Sequence, residues 1–85
     1  DKDLIQKLEE DYKKMVRRRV LYTTNFALSN ADNEVAPYIA LTEMYDASLQ
    51  MLDTVNNKLS LKVKDSDYGK RFQEYLDNIK ANQEK

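Results

Sequence analysis

Any chemistry this chain performs has to come from carboxylates, amines, guanidinium groups, hydroxyls and phenols, because its 85 residues include neither cysteine nor histidine. That removes disulfides, thiol nucleophiles, zinc sites of the ordinary kind and the side chain that most often serves as general base near neutral pH. Fifteen Asp and Glu residues remain, yet acid–base catalysis needs a carboxylate pair held in a partly desolvated cleft. Here acids alternate with bases. Asp3 and Lys7, Glu9 and Lys13, and Glu10 and Lys14 stand four apart, a separation at which opposite charges stabilise a helix surface by about 0.2–0.5 kcal/mol. Asp65 and Asp67, taken with Glu43 or Asp46, lack the loop spacing of a calcium site. The residues therefore predict a chain that is not itself an enzyme and that uses no metal or other cofactor.

Two features suit binding better than catalysis. Lys13, Lys14, Arg17 and Arg18 form a dense basic run that continues into Arg19 and is flanked by Tyr12 and Tyr22, which resembles a footprint for backbone phosphates. Glu9, Glu10 and Asp11 lie within one turn of it, and no base-reading motif accompanies it. A charge network within the chain, or an acidic partner surface, is the expected use, and nucleic acid is not an expected partner. The second feature is tyrosine: six Tyr against two Phe make the inner faces amphipathic, as befits a surface that is partly wet or meets another domain. Tyr12, Arg19, Tyr22, Phe26, Tyr38, Tyr45, Tyr68 and Gly69 are the candidate interaction residues. Arg19 falls in an otherwise apolar stripe. Either its methylene stem covers the core while its head reaches water, or it meets a carboxylate across an interface.

The elements that carry these residues read as helices. Ile5, Leu8, Tyr12, Met15, Tyr22 and Phe26 recur at spacings of three and four, with Arg19 in the one vacant slot, and predict a first and longest helix over 3–29. Its stripe can pack on the chain's other helices, the expected arrangement, or form a coiled-coil seam with a second chain. Ser29, Asn30, Asp32 and Asn33 interrupt the pattern. Asp32 or Asn33 can cap a second helix over 34–45 with Pro37 in its first turn. Helical spacing then runs through Leu49, Leu52, Val55 and Leu59, so a third helix over 47–59, capped by Asp46, can be continuous with the second. Leu59, Leu61 and Val63 alternate with polar residues as in a strand, but no second strand is available to satisfy such a backbone, and a connector is expected. Asp65 or Ser66 can cap a last helix over 66–81 bearing Phe72, Tyr75, Leu76 and Ile79, with a polar tail from Lys80 expected to fray.

Composition agrees. One Gly, one Pro and a charged third of the chain fit long helices rather than many short strands, and a chain of this length supports one domain with a thin core. The expectation is an all-α fold: three to four antiparallel amphipathic helices in a small bundle or stacked hairpins. Fourteen basic and fifteen acidic residues leave a net charge of −1, so no overall field draws the chain to polyanions. No apolar stretch approaches the about 20 residues of a membrane span.

At Val35-Ala36-Pro37-Tyr38-Ile39, at Val63-Lys64-Asp65-Ser66-Asp67-Tyr68-Gly69-Lys70, and at Tyr75-Leu76 and Ile79-Lys80, the chain resembles a recurring bacterial segment. It is similar to the helical region preceding the thioredoxin-like domain in envelope thiol-disulfide oxidoreductases of the AhpC/TSA, TlpA-like group, which carry a small β-rich N-terminal domain. The resemblance covers roughly residues 26–80. It departs from the family's Asn-Pro-Asp turn, reading Asn30-Ala31-Asp32, and it contains no CxxC, so no catalytic residue is carried over. It implies a fragment of a longer periplasmic or cell-envelope protein. The chain would be a non-catalytic spacer that orients or docks the redox domain, with neighbouring domains of the same polypeptide as partners and a homodimer as a further option. In that setting Gly69 would mark a close backbone approach. The competing expectations are a free-standing helical adaptor and, from another class, a basic-helix nucleic-acid binder centred on Lys13 to Arg19.

Overall fold

The computed structural model describes residues 2–83, and within them the chain is all α. Five helices follow in order: α1 (Lys2–Ser29), α2 (Val35–Glu43), α3 (Leu49–Lys58), α4 (Leu61–Lys64) and α5 (Asp67–Gln83). The first is the longest at 28 residues, about 42 Å at 1.5 Å per residue. The molecule is elongated, 53 × 33 × 16 Å, because α1 is longer than the body it belongs to.

Side-chain caps set most of the boundaries. Asn30 Nδ2 donates to the Phe26 carbonyl at the end of α1 (2.8 Å), and Asn33 Oδ1 accepts from the Val35 amide at the start of α2 (2.9 Å). Each takes up a backbone group that a helix end leaves unpaired. Pro37 stands in the first turn of α2, where an amide would have no intrahelical partner. The second and third helices are separate. Ser48, not Asp46, caps α3 by accepting from Met51 N (3.2 Å), and its extended backbone breaks the helical run. Ser60 caps α4 in the same way, so the segment expected to be a connector contains a helical turn. Leu59 and Val63, four apart, are buried while Leu61 between them is exposed, the pattern of a helix rather than of a strand. Ser66 Oγ accepts from Gly69 N (3.1 Å) to cap α5. That helix holds its form through Lys80 to Gln83, and residues 84 and 85 of the polar tail lie outside the described residues.

The core is built from small residues on one side and large ones on the other. Ala27 of α1 and Ala36 and Ala40 of α2 are fully buried, which lets α1 and α2 approach closely. Met44, Leu52, Val55, Val63, Phe72 and Leu76 fill the space between α2, α3, α4 and α5. At the rim, Asn56 Nδ2 donates to Gln73 Oε1 (2.8 Å) and Lys80 pairs with Asp53 (3.0 Å), both joining α3 to α5.

The first helix departs from expectation. The residues it contributes to the body are Val20, Thr24 and Ala27, with Val16 and Leu28 half-buried beside them. The larger row at Ile5, Leu8, Tyr12, Met15, Tyr22 and Phe26 stays exposed. At 100° per residue the two rows lie roughly a third of a turn apart around the helix. The expected intramolecular packing of the larger row is therefore corrected: the smaller row won because the α2 surface it meets, Ala36 and Ala40, accepts β-branched and small side chains at short range.

Candidate interaction surface

The N-terminal half of α1 leaves the body altogether. Every residue from 2 to 15 is exposed, an overhang of about 21 Å. Leu4, Ile5, Leu8, Tyr12 and Met15 on it are each 57–63% exposed, and Tyr22 extends the same face at 76%. A helical segment of this length is marginal in water by itself. It is held by continuity with residues 16–29, which the body anchors.

Arg19 stands where the overhang meets the body. Its guanidinium is bonded to the Asp46 carboxylate, reaches the Glu43 carbonyl at 3.4 Å, and lies 5.7 Å from the centroid of the exposed Tyr45 ring. Of the two readings of Arg19, the carboxylate partner exists, and it is supplied by the chain's own α2–α3 turn. The contact ties that turn to α1. It brings together two sequence-predicted residues, Arg19 and Tyr45, and adds Asp46, which sequence reasoning assigned to a cap instead.

The remaining candidates do not join that surface. Tyr38 of α2 and Tyr68 of α5 meet edge to face, with ring centroids 5.2 Å apart, and Arg71 stacks over Tyr68 at 5.7 Å, a second aromatic cluster that staples α2 to α5. Gly69 is buried, so it belongs to the interior and not to a surface. A Cβ there would overlap the Val63 carbonyl oxygen and lie 2.8 Å from that of Lys64. The close backbone approach is thus to α4 of the same chain. Phe26 remains partly exposed on α1.

The basic residues Lys13, Lys14, Arg17 and Arg18 are all exposed, but helical geometry spreads them over more than a third of the circumference. Glu10 shares the face of Lys14 and Arg17, four and seven residues on. The result is a mixed-charge face rather than a phosphate track. Among the described residues no cluster of three or more acidic side chains is placed to hold a metal ion, and no helix is long and apolar enough to cross a membrane.

One part of the surface was not anticipated. A groove of about 370 Å³ runs between α1 and the start of α3, lined by Tyr12, Val16, Val20, Leu21, Ala47 and Met51 with Arg17 and Asp46 at its edge. A second apolar hollow at Ile5, Leu8 and Tyr12 continues it along the overhang. The i, i+4 row Val16, Val20, Thr24 was the available signal. The larger side chains of the neighbouring row masked it.

Compared with family models, with curated proteins and with solved structures, the chain matches none.

Proposed function

We propose that this chain is a non-catalytic helical interaction module, whose working part is the overhanging half of α1. The observation that carries the reading is the exposure of Leu4, Ile5, Leu8, Tyr12 and Met15 in one row on a helix that the rest of the chain does not cover. Isolated apolar residues on a surface are ordinary, but a contiguous row of this size marks a binding face. The body, α2 to α5, supplies the anchor. The Arg19–Asp46 contact and the Tyr38–Tyr68 pair supply rigidity, so that the overhang leaves the body in one direction.

The narrower reading, a spacer that docks or orients a downstream thioredoxin-like domain in an envelope thiol-disulfide oxidoreductase, rests on the resemblance at residues 35–39 and 63–70. Reading the encoding gene beyond Lys85 tests it: a strand followed by CxxC supports that parent, and a stop codon removes it. For the interaction module itself, the test is whether residues 4–15 gain protection from amide exchange when the chain meets its partner in a lysate or in the full gene product. Exchange that stays fast in every such setting refutes it.

A further inference from the structure

We infer that the occupant of the α1 row is a second copy of this chain, laid antiparallel along the first; the inference rests on the interaction-module reading and names its partner. Three observations converge on it. The first is spacing. Ile5, Leu8, Tyr12, Met15, Arg19 and Tyr22 alternate by three and four, the repeat of a two-helix seam, and the row continues past the overhang to the exposed Tyr22.

The second is charge. Along the same helix Glu9, Glu10 and Asp11 form an acidic block, and Lys13, Lys14, Arg17 and Arg18 a basic one. Only Asp11 and Arg18 of these, with Glu9, flank the row; Glu10, Lys13, Lys14 and Arg17 face away from it. A parallel pair would set Asp11 and Arg18 against the uncharged Val16 and Thr23. An antiparallel pair whose twofold axis passes between Tyr12 and Met15 sets Asp11 against Arg18. That register also satisfies the seam: Tyr12 meets Met15 of the other copy, Ile5 meets Tyr22, and Leu8 lies over the stem of Arg19, whose head remains on Asp46. Asp11 and Arg18, both exposed and both flanking the row, then face each other twice, related by symmetry. The mixed flanks disfavour the other obvious occupant, an anionic lipid surface, because Glu9 and Asp11 border the apolar row on its two sides.

The third is area. The five apolar side chains of the overhang each present about 100 Å² at their observed exposure. Complete mutual burial removes at most about 1,000 Å² in the pair, the lower bound for specific association and the size of a weak, concentration-dependent one. The small-residue face of α1 is committed to α2 about a third of a turn from the seam, and the body reaches the row at Arg19, which Asp46 and Tyr45 contact.

Sedimentation equilibrium of the chain across a concentration series tests this, together with three variants. The expected result is a monomer–dimer equilibrium. Leu8→Glu/Tyr12→Glu should give a monomer with unchanged helical circular dichroism. Asp11→Arg should weaken association about tenfold by facing Arg18 with a like charge, and Asp11→Arg/Arg18→Asp should restore it. A chain that stays monomeric at millimolar concentration overturns the inference. So does a dimer indifferent to the Glu pair, which would use another surface, and so does a charge double reversal that fails to recover, which would exclude the antiparallel register. A monomer that binds anionic phospholipid vesicles through the same row would replace the second copy with a membrane. A monomer whose overhang is protected only in the full gene product would leave the interaction module standing and remove the second copy alone.

Discussion

Replacing Gly69 by alanine should destabilise the chain, against the ordinary direction of that change in a helix. In an unconstrained helix interior the added methyl is worth about 0.5–1 kcal/mol in favour of alanine. Here the Cβ would overlap the Val63 carbonyl oxygen and crowd that of Lys64 at 2.8 Å. Both neighbours are backbone, so relief requires moving α4 against α5 rather than turning a side chain. Overpacking of that kind costs about 1–3 kcal/mol. The shift also loosens the cap in which Ser66 Oγ accepts from the Gly69 amide, a contact worth about 1 kcal/mol. Set against the helix-propensity gain, a net loss of about 2 kcal/mol remains, which for a domain of this size lowers the melting temperature by about 8–16 °C. Thermal unfolding followed by circular dichroism, with urea unfolding as a check, measures it. Asn78→Ala at an exposed position of the same helix is the control and should be neutral or slightly stabilising. A Gly69→Ala variant that melts at or above the parent temperature would refute the α4–α5 corner described here.

Other substitutions probe other parts. Phe72→Ala, removing the largest fully buried side chain, should cost about 3–5 kcal/mol and leave little folded protein at 37 °C, read by urea titration. Ser48→Ala should cost about 1 kcal/mol through loss of the α3 cap, with the loss visible in the unfolding midpoint and not in the slope. Asp46→Asn removes the charge that Arg19 pairs with while keeping an acceptor oxygen; both side chains are a quarter to two-fifths exposed, at 28% and 39%. The effect should therefore stay within about 1 kcal/mol and shrink as salt is raised, which unfolding at two ionic strengths will show.

The helices themselves were legible because their signals were local. Phe72, Leu76 and Ile79 recur at helical spacing behind Ser66, and both features reappear in α5. What local pattern does not reveal is which of two rows on one helix meets the body. The row with the larger residues, Ile5 to Phe26, has the stronger periodicity. Val20, Thr24 and Ala27 make the contact because α2 presents alanines to them, a property of a segment roughly ten residues further along. The cap expected at Asp46 puts a break after Met44, apolar spacing running across it leaves continuity open, and a single serine hydroxyl at Ser48 decides it. The alternation at Leu59, Leu61 and Val63, set aside as a strand for want of a pairing partner, belongs to a connector whose helical turn buries only its outer two residues. Within the candidate surface, Tyr12 and Tyr22 could be read from spacing. The Arg19–Asp46 contact, spanning 27 positions, could not, since the fold alone brings the α2–α3 turn back to α1. Gly69 was legible as a point of close approach, but its neighbour, α4, appeared only once the turn at Leu61–Lys64 was seen to be helical.

Amide hydrogen exchange along α1, measured at low and at high chain concentration, bears most directly on the division of that helix into an anchored half and a docking half. Residues 18–27 should exchange slowly at both concentrations, and residues 4–15 should exchange fast when dilute and slow as association sets in. Protection of residues 4–15 equal to that of residues 18–27 in the dilute monomer would contradict the account, and protection unchanged on concentration would remove the second copy as the occupant.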